Sequence, residues 1–347
     1  MFFEGRFISV KSKIPEGAKR PFKAVLGFGL STVSSCLRRG YHPDHTILTT
    51  STPRSGSTWL MNLIETLPGS CPIFEPLHPG YRPQMEKIDD QYYPRLLPDE
   101  DAAEFAAYLT QVFSGKTFTR WSSNHATFHS FLSAQRFVVK FVHANRCWGW
   151  MANHYANNKK IVLLRHPCAV VESMLRSPGR WQGWSREEVL GPLRLAFDDA
   201  FVSEISRRAP NHVGMLAASW AADALLPICE TTPESSLLIS HEELVANPDG
   251  ALTRLFAYLE EDVPAKARER YDVPSNTTNM KMKMANLKGV RRLESWKKRL
   301  DGEAAREILD VVRLFGIDFY DDSPEPDYRK MDEMHRTQTS PAECVIG

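Results

Sequence analysis

The chain has 347 residues, enough to bury one large core or two smaller ones. Lys and Arg total 43 against 42 Asp and Glu, so no overall field draws the protein to nucleic acid or a membrane surface, and any anion site must come from locally placed cations. Its six cysteines (Cys36, Cys71, Cys147, Cys168, Cys229, Cys344) show neither Cys-x-x-Cys pairs nor Cys/His metal spacing, which suggests reduced thiols in a cytoplasmic protein.

Residues 1–45 are basic and interrupted by Pro and Gly, and read as an N-terminal extension. Its most apolar part, Ala24–Leu37, is too short for a membrane span, and starts late and without a persuasive cleavage site for a signal segment. Thr46–Thr50 then reads as a strand running into the turn Pro53-Arg54-Ser55-Gly56-Ser57-Thr58. The turn opens a helix whose apolar residues Trp59, Leu60, Leu63, Ile64 and Leu67 recur at helical spacing until Pro68-Gly69. A strand, a small-residue loop and a helix N-terminus make an anion cradle, because the first helical N–H groups are unpaired and the helix dipole is positive there. Gly56 permits close approach of the backbone, and Arg54 adds a permanent charge. The Walker pattern is absent, since its first Gly and its Lys are missing.

Phe74-Glu75-Pro76-Leu77-His78-Pro79 follows, and then an insertion over 80–135 with a helix over Asp101–Phe113 and a polar, aromatic stretch around Trp121, His125 and His129. Phe137–Val142 and Ile161–Leu164 are apolar runs of the kind buried in a parallel sheet covered on both faces. Arg165-His166-Pro167 ends the latter run, with Pro167 placed for the first turn of a helix that carries Ser173. Arg165 and Ser173 stand eight apart and can converge on one anion. Leu237–Ser240 reads as a further strand, followed by His241-Glu-Glu-Leu-Val-Ala-Asn-Pro and an amphipathic helix through Leu259. Pro274–Met284 is polar and Met-containing, as a lid over a ligand would be. Asn286-Leu-Lys288-Gly289-Val-Arg-Arg follows, and the tail over 321–347 lacks a period and is read as mobile.

Residues 53–59 resemble the 5′-phosphosulfate loop of sulfotransferases that use 3′-phosphoadenosine 5′-phosphosulfate (PAPS), which reads roughly Pro-Lys/Arg-Ser-Gly-Ser/Thr-Thr-Trp. That family also has a strand, Arg-x-Pro, and a Ser eight positions after the Arg, as Arg165 and Ser173 are here. The resemblance covers roughly 46–318, within a domain read over 46–320, and implies an α/β fold: a parallel central sheet flanked by helices, with a P-loop-type phosphosulfate-binding loop. It implies PAPS as co-substrate without a metal, held by Arg54, Ser55, Gly56, Ser57, Thr58, Trp59 (against the adenine), Arg165 and Ser173 (at the 3′-phosphate), and Lys288 and Gly289 (folding over it). Two departures stand out. His241 replaces the family's usual Tyr, which puts an adenine contact there in doubt, and Leu287 stands where an Arg usually precedes the Lys-Gly pair.

Sulfuryl transfer, like phosphoryl transfer, needs charge neutralised on the leaving oxygen and a proton taken from the acceptor. Arg54 suits the first duty and Lys140 resembles a family lysine that stabilises the transferring group. Two residues compete for the base. Glu75 sits in a Glu-Pro segment like that of the carbohydrate and bacterial branch. His143 resembles the histidine of the small-molecule branch and lies 22 residues before Arg165, but its gap from Lys140 is one residue longer than in the family. Glu75 is the narrow favourite, because the loop's Arg matches the carbohydrate and bacterial branch. The acceptor, a small molecule or a glycan with a hydroxyl or amine, carries no motif. Glycan-acting members of that family in the secretory pathway usually carry an N-terminal membrane anchor, and the lack of one here favours a soluble enzyme; a homodimer is left open. A small-molecule kinase would need a loop Lys and a Mg²⁺-binding acid, neither of which is evident; a non-catalytic nucleotide-binding module would not need Arg54, Lys140, Glu75 and His143.

Overall fold

The computed structural model describes residues 41–85, 93–177, 181, 184–271, 273 and 293–337. In chain order its regular elements are β1 (Ile47–Ser51), α1 (Ser57–Ile64), β2 (Ser70–Phe74), α2 (Ala103–Phe113), α3 (Phe128–Leu132), β3 (Arg136–Lys140), α4 (Trp148–His154), β4 (Lys160–Leu164) and α5 (Pro167–Leu175). They continue with α6 (Arg186–Leu193), α7 (Asp199–Arg208), α8 (His212–Cys229), β5 (Leu237–Ser240), α9 (His241–Ala246), α10 (Pro248–Tyr258), α11 (Ala265–Tyr271), α12 (Gly302–Leu314) and α13 (Tyr328–Thr337).

The five strands form one sheet in the order β2-β3-β1-β4-β5, with every pairing parallel. Successive residues of a strand point to opposite faces, so each strand feeds two cores. Leu48, Val139, Val162 and Leu238 join the core that contains most of α5, α8 and α12. Ile47, Val138, Ile161 and Ile239 join the core beneath α1 and α10. Burial on both faces explains why the strands read as continuous apolar runs. The fold is therefore α/β, with a parallel central sheet flanked by helices.

Three elements differ from the sequence reading. The sequence reading assigns no separate strand at β2, because Pro72 interrupts a five-residue run. Proline is tolerated there because β2 is an edge strand, paired on one side only, with Pro72 opposite Val138. The tail expected to be mobile from 321 onward instead forms α13 over Tyr328–Thr337, which packs on α8 with Met331 and His335 buried. Its apolar residues are too few for a sequence signal, yet they fall on one face. Third, α8 is the one described helix long and apolar enough to cross a membrane, and it lies almost wholly buried within the protein.

From β1 the chain runs outward to β2, whereas from β4 it runs the opposite way to β5. The connections diverge between β1 and β4, and the crevice beyond their carboxyl ends is where sheets of this kind bind ligands. The Thr52–Gly56 loop and Arg165 both emerge at that point.

Candidate active site

The loop after β1 is held by its own short side chains. The Thr52 and Ser55 hydroxyls lie 2.5 Å apart, and the Ser55 N–H donates to the Thr52 carbonyl. Arg54 (φ 71°) and Gly56 (φ 95°) adopt left-handed backbone, and no side chain caps α1. Glycine is favoured at 56 by its backbone, and the space beside it is tight. Its φ is costly for any other residue, and an added Cβ would lie 3.3 Å from His241 Nδ1. The result is a helix N-terminus presented without a side-chain cap, the cradle expected for an anion.

Distant residues converge on this loop. Arg54 Nε donates to Ser173 Oγ on α5 (2.9 Å), and Arg165 Nη1 donates to the Arg54 carbonyl (2.7 Å). Arg54, Arg165 and Ser173, read separately from the sequence, thus form one cationic cluster at the switch point. Trp59 is buried in the second core, its indole N–H donates to the Tyr271 carbonyl (3.1 Å), and its ring meets His241 edge-on at 5.4 Å. Lys288, Gly289 and the lid expected over 274–284 lie outside the described residues.

Behind Arg165 stands a buried brace that the sequence did not reveal. Glu242 Oε1 accepts from the His166 N–H (3.0 Å), and the Tyr320 hydroxyl donates to Oε2 (3.2 Å). His166 Nδ1 accepts from the Cys168 N–H, so Nε2 carries the proton and donates to the Asp321 carbonyl (2.9 Å). Burial pushes the His166 pKa down to about 4, which keeps the ring neutral. Trp296 stacks on that ring at 4.8 Å, and Arg299 pairs with buried Glu172, the neighbour of Ser173 (2.5 Å). The segment following the Lys288-Gly289 region is thereby fastened to both Arg165's neighbour and Ser173's.

Burial pushes the Glu242 pKa up to about 7, against the opposing effects of the His166 N–H and Arg165. A carboxyl whose folded pKa exceeds its unfolded value is favoured by folding while protonated. Its contribution is complete at acidic pH and is lost as pH rises from the ordinary carboxylate value to about 7. In urea unfolding, the stability of the unchanged chain relative to Glu242→Gln is expected to be smaller at pH 8 than at pH 5. A difference that is level or grows with pH would contradict this environment.

The second half of the site lies at the ends of β2 and β3. Glu75 (φ 44°) extends the parallel pairing past β2, its N–H donating to the Lys140 carbonyl (2.8 Å). The Lys140 ammonium and the Glu75 carboxylate form a buried ion pair, with Lys140 Nζ 4.3 Å from the Phe74 ring centroid. His143 is buried just beyond β3, stacked on Tyr93 at 5.4 Å and meeting His78 edge-on at 5.5 Å. Asn145 staples this segment to β1, accepting from Thr50 Oγ1 (2.7 Å) and donating to the Ser51 carbonyl (3.1 Å). Both candidate bases therefore follow closely on strand ends. Glu75 is coupled directly to Lys140, whereas His143 is enclosed by aromatic rings.

Asn145, Glu242 and Tyr320 carry no local sequence signal, because each acts through a partner at least 76 positions away. Cys71, Cys147, Cys168 and Cys229 are buried and unbridged. Among the described residues no cluster of three His, Cys, Asp or Glu is in place to hold a metal.

A family model described as the sulfotransferase family matches residues 47–265. No curated protein matches the chain significantly in sequence. Structural comparison returns the sulfotransferase domain of the Synechococcus PCC 7002 olefin synthase, at 17% identity and TM-score 0.43, covering 82% of this chain and 98% of that one. It also returns the sulfotransferase domain from the curacin biosynthetic pathway, at 17% identity and TM-score 0.38, covering 76% of this chain and 95% of that one. A mouse sulfotransferase complexed with PAP matches at 13% identity and TM-score 0.42, over 82% of this chain and 88% of that one.

Proposed function

The chain belongs to the sulfotransferase family, and from that premise we propose that it moves a sulfuryl group from PAPS to a hydroxyl or amine of a small-molecule or carbohydrate acceptor. The observation that carries this reading is the convergence of Arg54, Arg165 and Ser173 beside the glycine-gated N-terminus of α1. Two anionic groups on one nucleotide give such a cluster its use, one at the loop and one at Arg165 and Ser173. These residues fit the donor: a loop with a left-handed glycine at an uncapped helix start, two guanidinium groups and a hydroxyl close together. Ser55, Ser57 and Thr58 add small polar groups around the cradle, and Trp59 flanks it.

When bound, PAPS supplies the sulfuryl group and a phosphate leaving group, the acceptor's bond to sulfur forming as the bond to the bridging oxygen breaks. The protein's share is positioning and charge. Arg54 stabilises negative charge on the leaving side and, being unable to lose its proton, acts as a clamp and not as an acid. Glu75 accepts the acceptor's proton, which requires that Lys140 release it. The freed ammonium then faces the group in transit, so breaking one ion pair readies both residues. The four unbridged cysteines support a reducing compartment, and we place the enzyme in the cytoplasm.

Calorimetric titration tests the donor. Adenosine 3′,5′-bisphosphate (PAP) is expected to bind without metal, and AMP, which lacks the 3′-phosphate, much more weakly. Arg165→Ala is expected to lose about 2–4 kcal/mol of PAP affinity, the cost of leaving a phosphate without its charged partner. Equal binding of AMP and PAP, or preferential binding of ATP with Mg²⁺, would overturn the assignment.

A further inference from the structure

The family match ends at residue 265, yet the chain returns to the back of Arg165 well beyond that point. α12 leads into an arm over 317–321 in which Ile317, Phe319 and Tyr320 are buried. α13 clamps the arm. The Asp327 N–H donates to the Phe319 carbonyl (2.8 Å), Lys330 pairs with Asp318 (2.6 Å), and buried His335 meets the Thr231 hydroxyl (3.2 Å) just after α8. The Tyr320 ring stands edge-on to Trp220 of α8 at 5.8 Å and to His166 at 5.1 Å.

The hydrogen bonds at the end of this arm close a cycle. The Tyr320 hydroxyl donates to Glu242, Glu242 accepts from the His166 N–H, and the His166 ring donates to the carbonyl of Asp321, the residue after Tyr320. Burial, and then the Glu242 carboxylate, hold the Tyr320 pKa well above its ordinary value, so the hydroxyl keeps the proton it donates. His166 is thus gripped at its backbone and its side chain together, with Trp296 stacked on the ring. Apolar contacts from Ile317 and Phe319 suffice to dock the arm. A buried polar cycle adds a desolvation cost, and what a satisfied network of that kind supplies is one fixed geometry. The geometry fixed here is that of the peptide from which Arg165 projects.

Resting on the sulfotransferase reading above, we propose that Tyr320 and Glu242 are positioning residues of the donor site: the cycle they close around His166 aims the Arg165 guanidinium at the 3′-phosphate. The 317–321 arm thereby takes part in donor recognition without touching the donor. The anchor matters because two groups compete for Arg165. Its Nη1 donates to the Arg54 carbonyl, and the Glu242 carboxylate attracts its charge from behind. While the Tyr320 hydroxyl and the His166 N–H occupy Glu242, Arg165 stays with the loop. A carboxylate released from Tyr320 turns to Arg165 and draws it away from the crevice.

The test is calorimetric titration of PAP and of AMP into variants that open the cycle and one that restores it. Tyr320→Phe is expected to raise the PAP Kd about fivefold and Glu242→Ala about tenfold, with the AMP Kd unchanged in both. Glu242→Gln keeps an oxygen for the His166 N–H and gains an amide that the Tyr320 oxygen can accept from. It is expected to bring the PAP Kd back to within about twofold of the unchanged chain. Because Tyr320→Phe keeps its ring against Trp220 and His166, the arm stays docked and the test holds even if Glu242→Ala does not fold. A preference for PAP over AMP that survives Tyr320→Phe and Glu242→Ala would overturn the positioning role and leave the donor assignment standing. So would a loss shared equally by the two nucleotides, which reports general loosening, or a Glu242→Gln chain as weak as Glu242→Ala. Equal binding of PAP and AMP by the unchanged chain would overturn both readings.

Discussion

Glu75→Gln is expected to bind PAP as the unchanged chain does while losing turnover by about 100-fold or more, the scale of a missing general base. Glutamine keeps the shape of glutamate and an oxygen for Lys140, but it cannot take a proton. The ion pair makes the expectation more specific, because the same substitution leaves the buried Lys140 ammonium facing a neutral amide. That costs stability on the order of 1–3 kcal/mol, which denaturant unfolding can measure separately from activity. Adding Lys140→Met to Glu75→Gln is expected to recover stability without recovering turnover, since apolar groups of similar size can replace a buried pair. His143→Asn serves as the opposing case. Its ring is enclosed by Tyr93 and His78, so its loss is expected to raise the acceptor's KM more than it lowers kcat. A Glu75→Gln enzyme with near-normal turnover beside a dead His143→Asn enzyme would reverse the roles.

The anion loop was legible in the sequence because its requirements are local. A glycine at a left-handed position, small hydroxyl residues and a helix start all fall within seven residues, and the structure gives Gly56 φ 95° as the cap of α1. Pro167 at the first turn of α5 was legible for the same reason. What stayed hidden depends on contacts across the fold. β2 lost its signal to Pro72, which only its edge position makes acceptable. α13 was hidden because a polar segment gains helical order from a few apolar residues seated on α8. Glu242 looked like one carboxylate in a helical acidic pair, and only the fold reveals it as the buried partner of His166 and Tyr320. The aromatic stretch around Trp121 and His125 was visible as composition. Its alignment with Phe74 rests on a backbone hydrogen bond to Ser122 and on ring contacts with Trp121 and His125, none of which a sequence displays.

Arg54 shows how structure sharpens a role read from a motif, and its removal is expected to have the other large effect. Arg54→Ala should lower turnover by about 10²–10³, the cost of deleting one donor aimed at developing charge. The side chain also holds Ser173, whereas the contact with Arg165 is made by the Arg54 carbonyl, which every substitution keeps. PAP affinity is therefore expected to fall less than in Arg165→Ala, and the loss to appear mainly in kcat. Arg54→Lys should lie between, because an ammonium restores the charge but lacks the planar fork of separate N–H groups that Arg54 offers to Ser173 and the leaving oxygen. The backbone at this position adds a control. Arg54 is left-handed at φ 71°, a conformation that strains alanine and suits glycine. If the guanidinium is what matters, Arg54→Gly and Arg54→Ala should lose turnover alike, although the glycine variant is the more stable of the two. Unchanged turnover in both would show that the loop needs no cation, and that Lys140 or Arg165 carries the charge of the leaving group.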